Sequence, residues 1–412
     1  MENLFDFLEN QENKENKTIK VEEDREYIRL NSYVGSRMNT DFRKRNKINN
    51  VIDEKVEEIK NEEIKIEKIS EENINENLSP KFLIVDGSSL LSTSFYATAR
   101  DLLFAKTEEQ KEVAYTKLMQ TSDGVYTNGV YMFFKTLLPL LEKHKITHLA
   151  VVLDRSRNTF RREIDPEYKA TRSETPIPLK SQFKLLTDIL QEINIPVFSD
   201  MNYEADDFAG SLAKKFEKEI PIYLHTKDGD YLQLVSEYTK VWMVTGKADT
   251  MYEEIDVDKK VLDIPSGIFE YTPEYVKHFE GVEPIQIIDV KAIEGDKSDN
   301  IKGVKGVGPT SSRPLISHYG SVEDIYKAIE GLDTKAEKEL ATFFKENLGI
   351  KRSPIKNLLT YKKDAIISKK LASIKTDIEQ IQNLELDNLK LNIDKEKMNE
   401  VFKSLEINSL VK

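Results

Sequence analysis

The 412-residue chain contains no cysteine, only five histidines and one tryptophan. The lack of cysteine excludes disulfides, thiolate metal sites and cysteine nucleophiles. No apolar run approaches the roughly 20 residues that cross a bilayer. The start, MENLFDFLEN, lacks a cationic region followed by an apolar one, so no signal peptide is expected. These absences predict a protein of a reducing cytoplasm without a membrane partner.

Acidic residues outnumber basic ones by 73 to 61, and the formal net charge of −12 by itself argues against nucleic acid as a partner. Residues 1–80 hold 20 of the acids and 14 of the bases, with few apolar residues to bury. They predict a charged, mostly disordered tail. Leu4, Phe5, Phe7 and Leu8 form an apolar cluster near its start, which is either a random cluster or a short motif for a partner's groove.

Short apolar runs alternate with amphipathic segments from Lys81 onward. FLIVDG, HLAVVLD, IPVFSD, IPIYLHTKDGD and KVWMVT predict strands, whereas residues 130–143, 179–193 and 204–219 predict helices. The alternation predicts an α/β domain over residues 81–270, with a mostly parallel sheet flanked by helices.

Strand signals fade after this domain. Residues 271–350 predict a smaller helical domain around the glycine-rich stretch GVKGVG, and residues 351–412 predict a helical extension of unknown role. Consecutive backbone N–H groups at such a turn can bind a phosphate or an ion. A glycine pair alone is a weak signal for this.

Seven acidic side chains stand where predicted strands end or helices begin, and two more, Asp296 and Asp299, precede the glycine-rich turns. The carboxyl ends of parallel strands share one edge of the sheet, and ligands bind there. So many carboxylates repel one another unless cations neutralise them, and oxygen ligands favour Mg²⁺ or Mn²⁺. Two such ions can activate a water and stabilise both oxygens of a phosphoryl displacement. The nine residues are Asp86, Asp154, Glu204, Asp206, Asp207, Asp228, Asp230, Asp296 and Asp299.

Each acidic motif also has an ordinary structural interpretation. Asp86 alone would be a strand-end turn residue, YEADD a helix cap and KDGD a turn. Their joint occurrence at successive strand ends favours the metal site. Residues 81–412 hold 53 acids and 47 bases, so setting the nine aside leaves 44 acids and a mildly basic surface.

A cation-rich stretch, RSRNTFRREIDPEYKATRSETP, follows Asp154. Its arginines and lysines alternate with aromatic rings, a pattern that suits single-stranded nucleic acid because cations bind phosphates and rings stack on bases. The alternative is a solvated helix whose cations extend into water.

These motifs resemble the 5′-nuclease family, which comprises the 5′→3′ exonuclease domain of bacterial DNA polymerase I, phage 5′-exonucleases and flap endonucleases. The resemblance runs from Lys81 to about Leu332 and rests on FLIVDGSSLL, FRREIDPEYKATR, YEADD, KDGDYLQL, IIDVKAIEGDKSDNIKGVKGVG and YGSVEDIY. It implies a PIN-like nuclease domain, an arch at about residues 155–180 over the active site, and a helix-three-turn-helix domain that grips duplex phosphates with help from K⁺.

Carried over by position, the nine acids are the expected ligands of two Mg²⁺ or Mn²⁺ ions, with Asp296 acting through water. Asp154, Lys169 and Arg172 are the expected catalytic residues, and Arg313 would compensate for a phosphate-binding lysine that the family has and this chain lacks. The residues expected to contact DNA are Phe160, Arg161, Tyr168, Lys169, Arg172, Gly303, Gly306, Gly308, Ser311, Ser312 and Arg313.

The resemblance implies a stand-alone, monomeric, Mg²⁺-dependent nuclease of replication and repair, in a bacterial or phage-infected cell. It would hydrolyse phosphodiesters near 5′ ends in flaps, nicked or gapped duplexes and RNA primer–DNA hybrids, with a sliding clamp or another replication protein as a partner of the tail. A non-catalytic junction-binding adaptor and a PIN-type ribonuclease are the alternatives. The complete acid set argues against the first, and the predicted duplex grip against the second.

Overall fold

The computed structural model describes residues 80–412, so the predicted tail and its apolar cluster lie outside the described residues. Six strands form one sheet in the order β3-β2-β1-β4-β5-β6, in which β1 to β5 are parallel and β6 is antiparallel to β5. The strands are β1 (Phe82–Asp86), β2 (His148–Val152), β3 (Val197–Phe198), β4 (Ile222–Thr226), β5 (Thr239–Val244) and β6 (Ile268–Tyr271).

Helices flank the sheet and continue to the C-terminus. The first eight are α1 (Gly87–Thr98), α2 (Arg100–Phe104), α3 (Glu108–Tyr115), α4 (Asn128–Lys143), α5 (Phe160–Ile164), α6 (Ile177–Glu192), α7 (Ala205–Phe216) and α8 (Ala248–Glu254). After β6 come α9 (Pro273–Glu280), α10 (Ile287–Glu294), α11 (Pro309–Tyr319), α12 (Val322–Ile329), α13 (Thr334–Asn347), α14 (Ile355–Thr360), α15 (Lys362–Ala372), α16 (Glu379–Gln382) and α17 (Lys395–Ser404).

The central strands are buried on both faces. On β1, Phe82 and Ile84 belong to one apolar cluster, and Leu83 and Val85 belong to the cluster on the opposite face. Strands buried on both sides consist of continuous apolar residues, which explains the run FLIVD. The predicted fold class, a mostly parallel sheet flanked by helices, is confirmed.

The sequence pattern missed β6. This strand has only four residues, and its Glu270 carboxylate accepts a hydrogen bond from the Trp242 indole N–H at 2.9 Å. A four-residue strand with a central charge lacks the apolar run that marks the other strands.

The C-terminal residues return to the sheet. Lys390 forms a bridge with His148 of β2, and Leu391 N–H donates to the Thr147 carbonyl at 2.8 Å. Further along, the rings of Phe402 on α17 and Phe134 on α4 lie 5.2 Å apart between centroids. The apolar residues between Leu391 and Leu410 therefore join the cluster on one face of the sheet, whereas Leu389 belongs to the cluster on the other face. Within the described part of the chain, no helix combines the length and apolar character needed to cross a membrane.

Candidate active site

Asp86 ends β1 at the centre of the carboxyl edge of the sheet. Its side chain is 6% exposed and accepts hydrogen bonds from the Ser89 backbone N–H at 2.9 Å and the Thr226 hydroxyl at 2.8 Å. Burial, and then the neighbouring carboxylate of Asp154, raise the pKa of Asp86 to about 7. The edge therefore holds negative charge that the protein itself does not fully neutralise.

Replacing Asp86 by asparagine tests this electrostatic strain. An aspartate whose folded pKa is raised destabilises the fold more as the pH rises from its unfolded value, near 4, to its folded value, near 7. We expect Asp86→Asn, measured without divalent metal, to raise the free energy of unfolding by on the order of 2–3 kcal/mol more at pH 8 than at pH 5. Denaturant titrations at the two pH values measure this, and an equal effect at both would contradict the assignment.

Asp154 follows β2 and lies beside Asp86. Its Oδ1 accepts a hydrogen bond from the Ala205 N–H at the start of α7 at 2.9 Å, and its own N–H donates to the Ser88 hydroxyl at 2.8 Å. The side chain is exposed. Asp154 therefore connects the end of β2 to Ser88, just after β1, and to the start of α7. Its carboxylate remains exposed at the carboxyl edge of the sheet.

Asp207 and Arg161 form a buried ion pair. Two guanidinium N–H groups of Arg161 lie 2.7 and 2.8 Å from the Asp207 carboxylate oxygens, and the two side chains are 1% and 0% exposed. The same carboxylate accepts the backbone N–H groups of Glu204 at 3.0 Å and Lys375 at 2.8 Å. Four donors use all the lone pairs of Asp207, so this structure does not offer it as a metal ligand, nor Arg161 as a DNA contact.

The predicted arch segment lies directly on the acids. The Lys169 ammonium is 2.7 Å from Glu204 Oε2 and 3.6 Å from Asp299 Oδ2, and Arg172 forms an ion pair with Asp299. Burial raises the pKa of Glu204, but the charges of Lys169 and Arg161 outweigh it and lower the pKa overall. The two predicted arch cations thus lie among the predicted ligands.

Tyr168 is placed differently from the prediction. Its side chain is 2% exposed, and its hydroxyl hydrogen bonds to Glu204 Oε2 at 3.1 Å and Asp299 Oδ2 at 3.0 Å. In this conformation the ring offers no surface on which a base could stack. Phe160 is half-buried, with the Arg161 guanidinium over its ring at 4.8 Å from the centroid.

Lys291 of α10 is a site residue that the sequence reasoning missed. Its ammonium forms ion pairs with Asp230 and, at 2.8 Å, with Asp296. Burial alone would raise the pKa of Asp296, but hydrogen bonds from Lys291 and Ser298 lower it to about 2. Asp228 follows the end of β4, and its Oδ1 accepts the Asp230 N–H at 2.9 Å. A lysine five residues before Asp296 was the available signal.

The acid set fits hard cations in its chemistry but is not drawn together as a finished metal site. No group of three carboxylates or histidines among residues 80–412 has metal-binding geometry, and basic side chains lie between the acids instead. Asp206 Oδ1 is buried and has no hydrogen-bond partner within the described residues, its nearest cation being the Arg161 guanidinium at 3.9 Å. Burial outweighs that charge and strongly raises the pKa of this side chain. A buried carboxylate oxygen without a partner is what an oxygen-preferring cation would satisfy.

The glycine-rich turns join α10 to α11. Gly303 has φ +61°, and a Cβ there would lie 2.3 Å from the backbone nitrogen of Gly295. Gly306 has φ +82°, and its Cβ would meet the Asn357 side chain at 2.7 Å. Gly308 has φ −119° and open space around it. The turns therefore require glycine at the first two positions and not at the third.

Side chains at the start of α11 already bind other groups of the protein. Ser312 is 0% exposed and donates to Glu294 Oε1 at 2.5 Å. Arg313 donates to the carboxylate of Glu280 at 2.6 Å, so its charge is already paired and does not replace the missing family lysine in this conformation. Ser311 is half-buried, and its backbone N–H donates to the Gly308 carbonyl.

Alanine substitutions at these glycines distinguish the cost of a left-handed backbone from the cost of steric overlap by the added methyl group. Gly303→Ala is expected to destabilise the fold by several kcal/mol, because backbone atoms block the new methyl group. Gly306→Ala should cost about 1–2 kcal/mol through its left-handed conformation alone. Gly308→Ala should cost less, because this N-cap residue of α11 has an ordinary φ and open space around it. Thermal unfolding of the three variants measures the order, and an equal loss at Gly308 and Gly306 would contradict it.

Comparison with known proteins gives the family. A model of the 5′-3′ exonuclease N-terminal resolvase-like domain matches residues 81–262, and a model of the 5′-3′ exonuclease C-terminal SAM fold matches residues 282–397. A 5′-3′ exonuclease of Halalkalibacterium halodurans is 34% identical over 316 residues, which are 76% of this chain and 89% of that protein. The DNA polymerase I of Bacillus caldotenax is 33% identical over 81% of this chain but only 32% of the polymerase. A zinc-bound structure of T5 5′-exonuclease has a TM-score of 0.49 at 20% identity, over 78% of this chain and 98% of that one.

These matches show that the chain belongs to the 5′-3′ exonuclease family. The resemblance drawn from the motifs is confirmed. It also extends further, because the motifs ended near Leu332 whereas the C-terminal family match continues to residue 397.

Proposed function

We propose that this chain is a divalent-metal-dependent, structure-specific nuclease that hydrolyses DNA phosphodiesters near a 5′ end or flap. The observation that carries the proposal is the band of carboxylates at the sheet edge beneath a cationic segment. Lys169 lies 2.7 Å from Glu204 and Arg172 pairs with Asp299. A phosphodiester needs both features, since anionic ligands hold cations and basic side chains attract the phosphate.

Two Mg²⁺ or Mn²⁺ ions are the proposed cofactors. When bound, they would supply a water of lowered pKa and charge stabilisation for the displacement at phosphorus. Asp86, Asp154, Asp206 and Asp228 are the proposed principal ligands, because protein cations do not hold them in direct ion pairs within hydrogen-bond distance. Glu204, Asp230, Asp296 and Asp299 are proposed to join them once their paired cations turn away. Asp207 is assigned a structural role through Arg161.

The basic side chains are proposed to exchange partners when substrate binds. Lys169 and Arg172 now neutralise Glu204 and Asp299. A substrate phosphate offers the same negative charge, so these cations can turn to it and free the carboxylates for metal. Lys169 has φ +54°, and its backbone N–H donates to the Asp299 carbonyl at 2.8 Å, which anchors the segment at the residue that must move its side chain.

The glycine turns are proposed to bind the duplex next to the cut, with K⁺ held by backbone carbonyls of residues 303–308. Small residues there allow close approach of the phosphate backbone. Through this contact the enzyme would bind junctions more tightly than single strands.

The tail is proposed to tether the enzyme to a replication protein such as a sliding clamp, through Leu4, Phe5, Phe7 and Leu8. A truncated chain that begins near Asn77 is expected to keep both its nuclease activity on oligonucleotide flaps and its melting temperature. The full chain should bind the clamp in a pull-down and the truncated chain should not. Equal binding of the clamp by both chains would contradict the proposed docking motif. Unfolding of the truncated chain would contradict the proposal that the tail is only a tether.

A labelled 5′-flap substrate tests the proposed activity. The full chain should release a short 5′ product with Mg²⁺, none with EDTA, and much less from a matched single strand. Junction binding without any cleavage would indicate the adaptor instead. Cleavage confined to RNA strands would indicate the ribonuclease.

A further inference from the structure

The C-terminal region contains a segment in which the acid-rich composition of the chain reverses. The seventeen residues 347–363 contain five basic residues and no acid, although acids outnumber bases in the chain as a whole. The five are Lys351, Arg352, Lys356, Lys362 and Lys363. By contrast, the preceding helix α13 alternates both signs along TKAEKELATFFKEN. We call residues 351–363 the basic segment.

The basic segment lies against the glycine turns. Asn357 in α14 donates a side-chain hydrogen bond to the Lys305 carbonyl at 2.9 Å, and the same amide nitrogen is the atom nearest to a Cβ built at Gly306. Lys302 and Lys305 of the turns are themselves exposed. The basic segment therefore lies next to the turns, where Lys305 is exposed and Lys302 lies 3.6 Å from the Asp165 carboxylate.

Most of these charges are free for a partner. Lys351, Arg352, Lys356 and Lys363 are exposed, and residues 80–412 contain no ion-pair partner for any of the four. Lys362 is the exception, since it pairs with Glu330. Buried Ile355 and Leu358 anchor α14, the helix that carries Lys356. An unpaired cation need not break a salt bridge within the protein when it binds an anion.

The side chains around the cations favour a duplex over a single strand. Single strands bind through exposed aromatic rings that stack on bases. The basic segment has one aromatic residue, Tyr361, which is half-buried and packs on the apolar core. Cations without exposed rings suit the regularly spaced phosphates of a double helix.

We propose that the basic segment binds the phosphate backbone of the duplex arm beyond the glycine turns, and so sets how much duplex the enzyme needs on that side. The proposal rests on the proposed function, because it assumes that the turns bind duplex. It gives residues 351–363 a role in substrate selection that is separate from the carboxylate site.

The test compares two triple variants that remove the same charge. The first is Arg352→Gln, Lys356→Gln and Lys363→Gln. The control is Lys338→Gln, Lys395→Gln and Lys403→Gln, three exposed lysines of α13 and α17. Affinity for a flap junction is measured with Ca²⁺ over a range of salt concentrations, for duplex arms of about 6 and about 20 base pairs. Each lost phosphate contact should lower the slope of log affinity against log salt by about 0.9.

The expected result is a slope lowered by about 2–3 for the first variant on the long arm, with little change on the short arm. The control variant should match the wild-type protein on both arms. Equal slopes for the two variants would overturn the proposal, as would an equal loss on both arm lengths. If the wild-type protein itself fails to bind junctions, the proposed function fails instead, which keeps the two outcomes distinct.

Discussion

Asp154→Asn is expected to abolish cleavage while junction affinity stays the same or increases. Asparagine keeps the oxygen that accepts the Ala205 N–H at 2.9 Å, so α7 keeps its anchor to β2. The substitution removes only one negative charge from the carboxylates at the sheet edge. Loss of a group that stabilises charge in the transition state lowers turnover by about 10²–10³-fold or more, whereas less negative charge near a phosphate favours binding. Single-turnover cleavage with Mg²⁺ and binding with Ca²⁺ measure the two effects.

Asp188→Asn is the matched control for Asp154→Asn. Asp188 lies on α6, pairs with Lys184 at 2.5 Å and is 53% exposed, so its loss changes the net charge equally but leaves the cleft unaltered. The control should cleave like the wild-type protein. Cleavage by Asp154→Asn within tenfold of the control would show that Asp154 does not hold a catalytic metal.

Arg161→Leu is expected to cause the largest loss of stability among single substitutions in the arch segment. Leucine leaves the Asp207 carboxylate, 0% exposed, without its charge partner. Removing one member of a buried pair costs about 3–5 kcal/mol, because the remaining charge is uncompensated. Arg161 also donates to the Leu371 and Ser373 carbonyls at 3.0 Å, so the contact between the arch segment and the end of α15 would weaken. Denaturant unfolding measures the loss.

Arg162→Leu is the neighbouring control. Arg162 is only half-buried and donates to Asn158 at 3.1 Å and the Tyr168 carbonyl at 3.2 Å, so its loss should cost less than about 1.5 kcal/mol. The double substitution Arg161→Leu with Asp207→Leu should recover part of the loss, because the fully buried Asp207 carboxylate no longer remains without its cation. Equal losses for Arg161→Leu and Arg162→Leu would contradict the structural role of the pair.

The elements and the acid set could be predicted because each depends on neighbours in sequence. FLIVD is a strand because both faces are buried, and Asp86 ends it at the edge where ligands bind. The same local logic places Glu204 and Asp206 at the start of α7. Local patterns therefore gave the sheet, its carboxyl edge and most of the acids that line it.

The partners of these acids could not be predicted, since they come from distant parts of the chain. Arg161 reaches Asp207 across 46 residues, and Tyr168 reaches Asp299 across 131. The pattern of cations and aromatic rings suggests a nucleic-acid surface, but it does not show whether these side chains face outward or inward. The difference depends on packing, which places Tyr168 and Arg161 inside and leaves Arg172 44% exposed.

The glycine stretch shows the same limit at shorter range. GVKGVG marks a turn, but only the backbone angles distinguish Gly303 and Gly306, which are left-handed, from Gly308, which is not. Likewise, Arg313 has the charge expected for a phosphate contact, but the fold places Glu280 within 2.6 Å of it.

Direct measurement of metal binding tests the central claim, that the carboxylates at the sheet edge form a site for divalent cations. Mn²⁺ titration of the full chain, followed by electron paramagnetic resonance, counts bound ions without relying on cleavage. We expect the wild-type protein to bind Mn²⁺ and Mg²⁺ to displace it. The amount of bound Mn²⁺ should fall in Asp154→Asn and stay the same in Asp188→Asn. Binding that is absent from the wild-type protein, or equal in the two variants, would contradict the assignment of the acid cluster as the metal site.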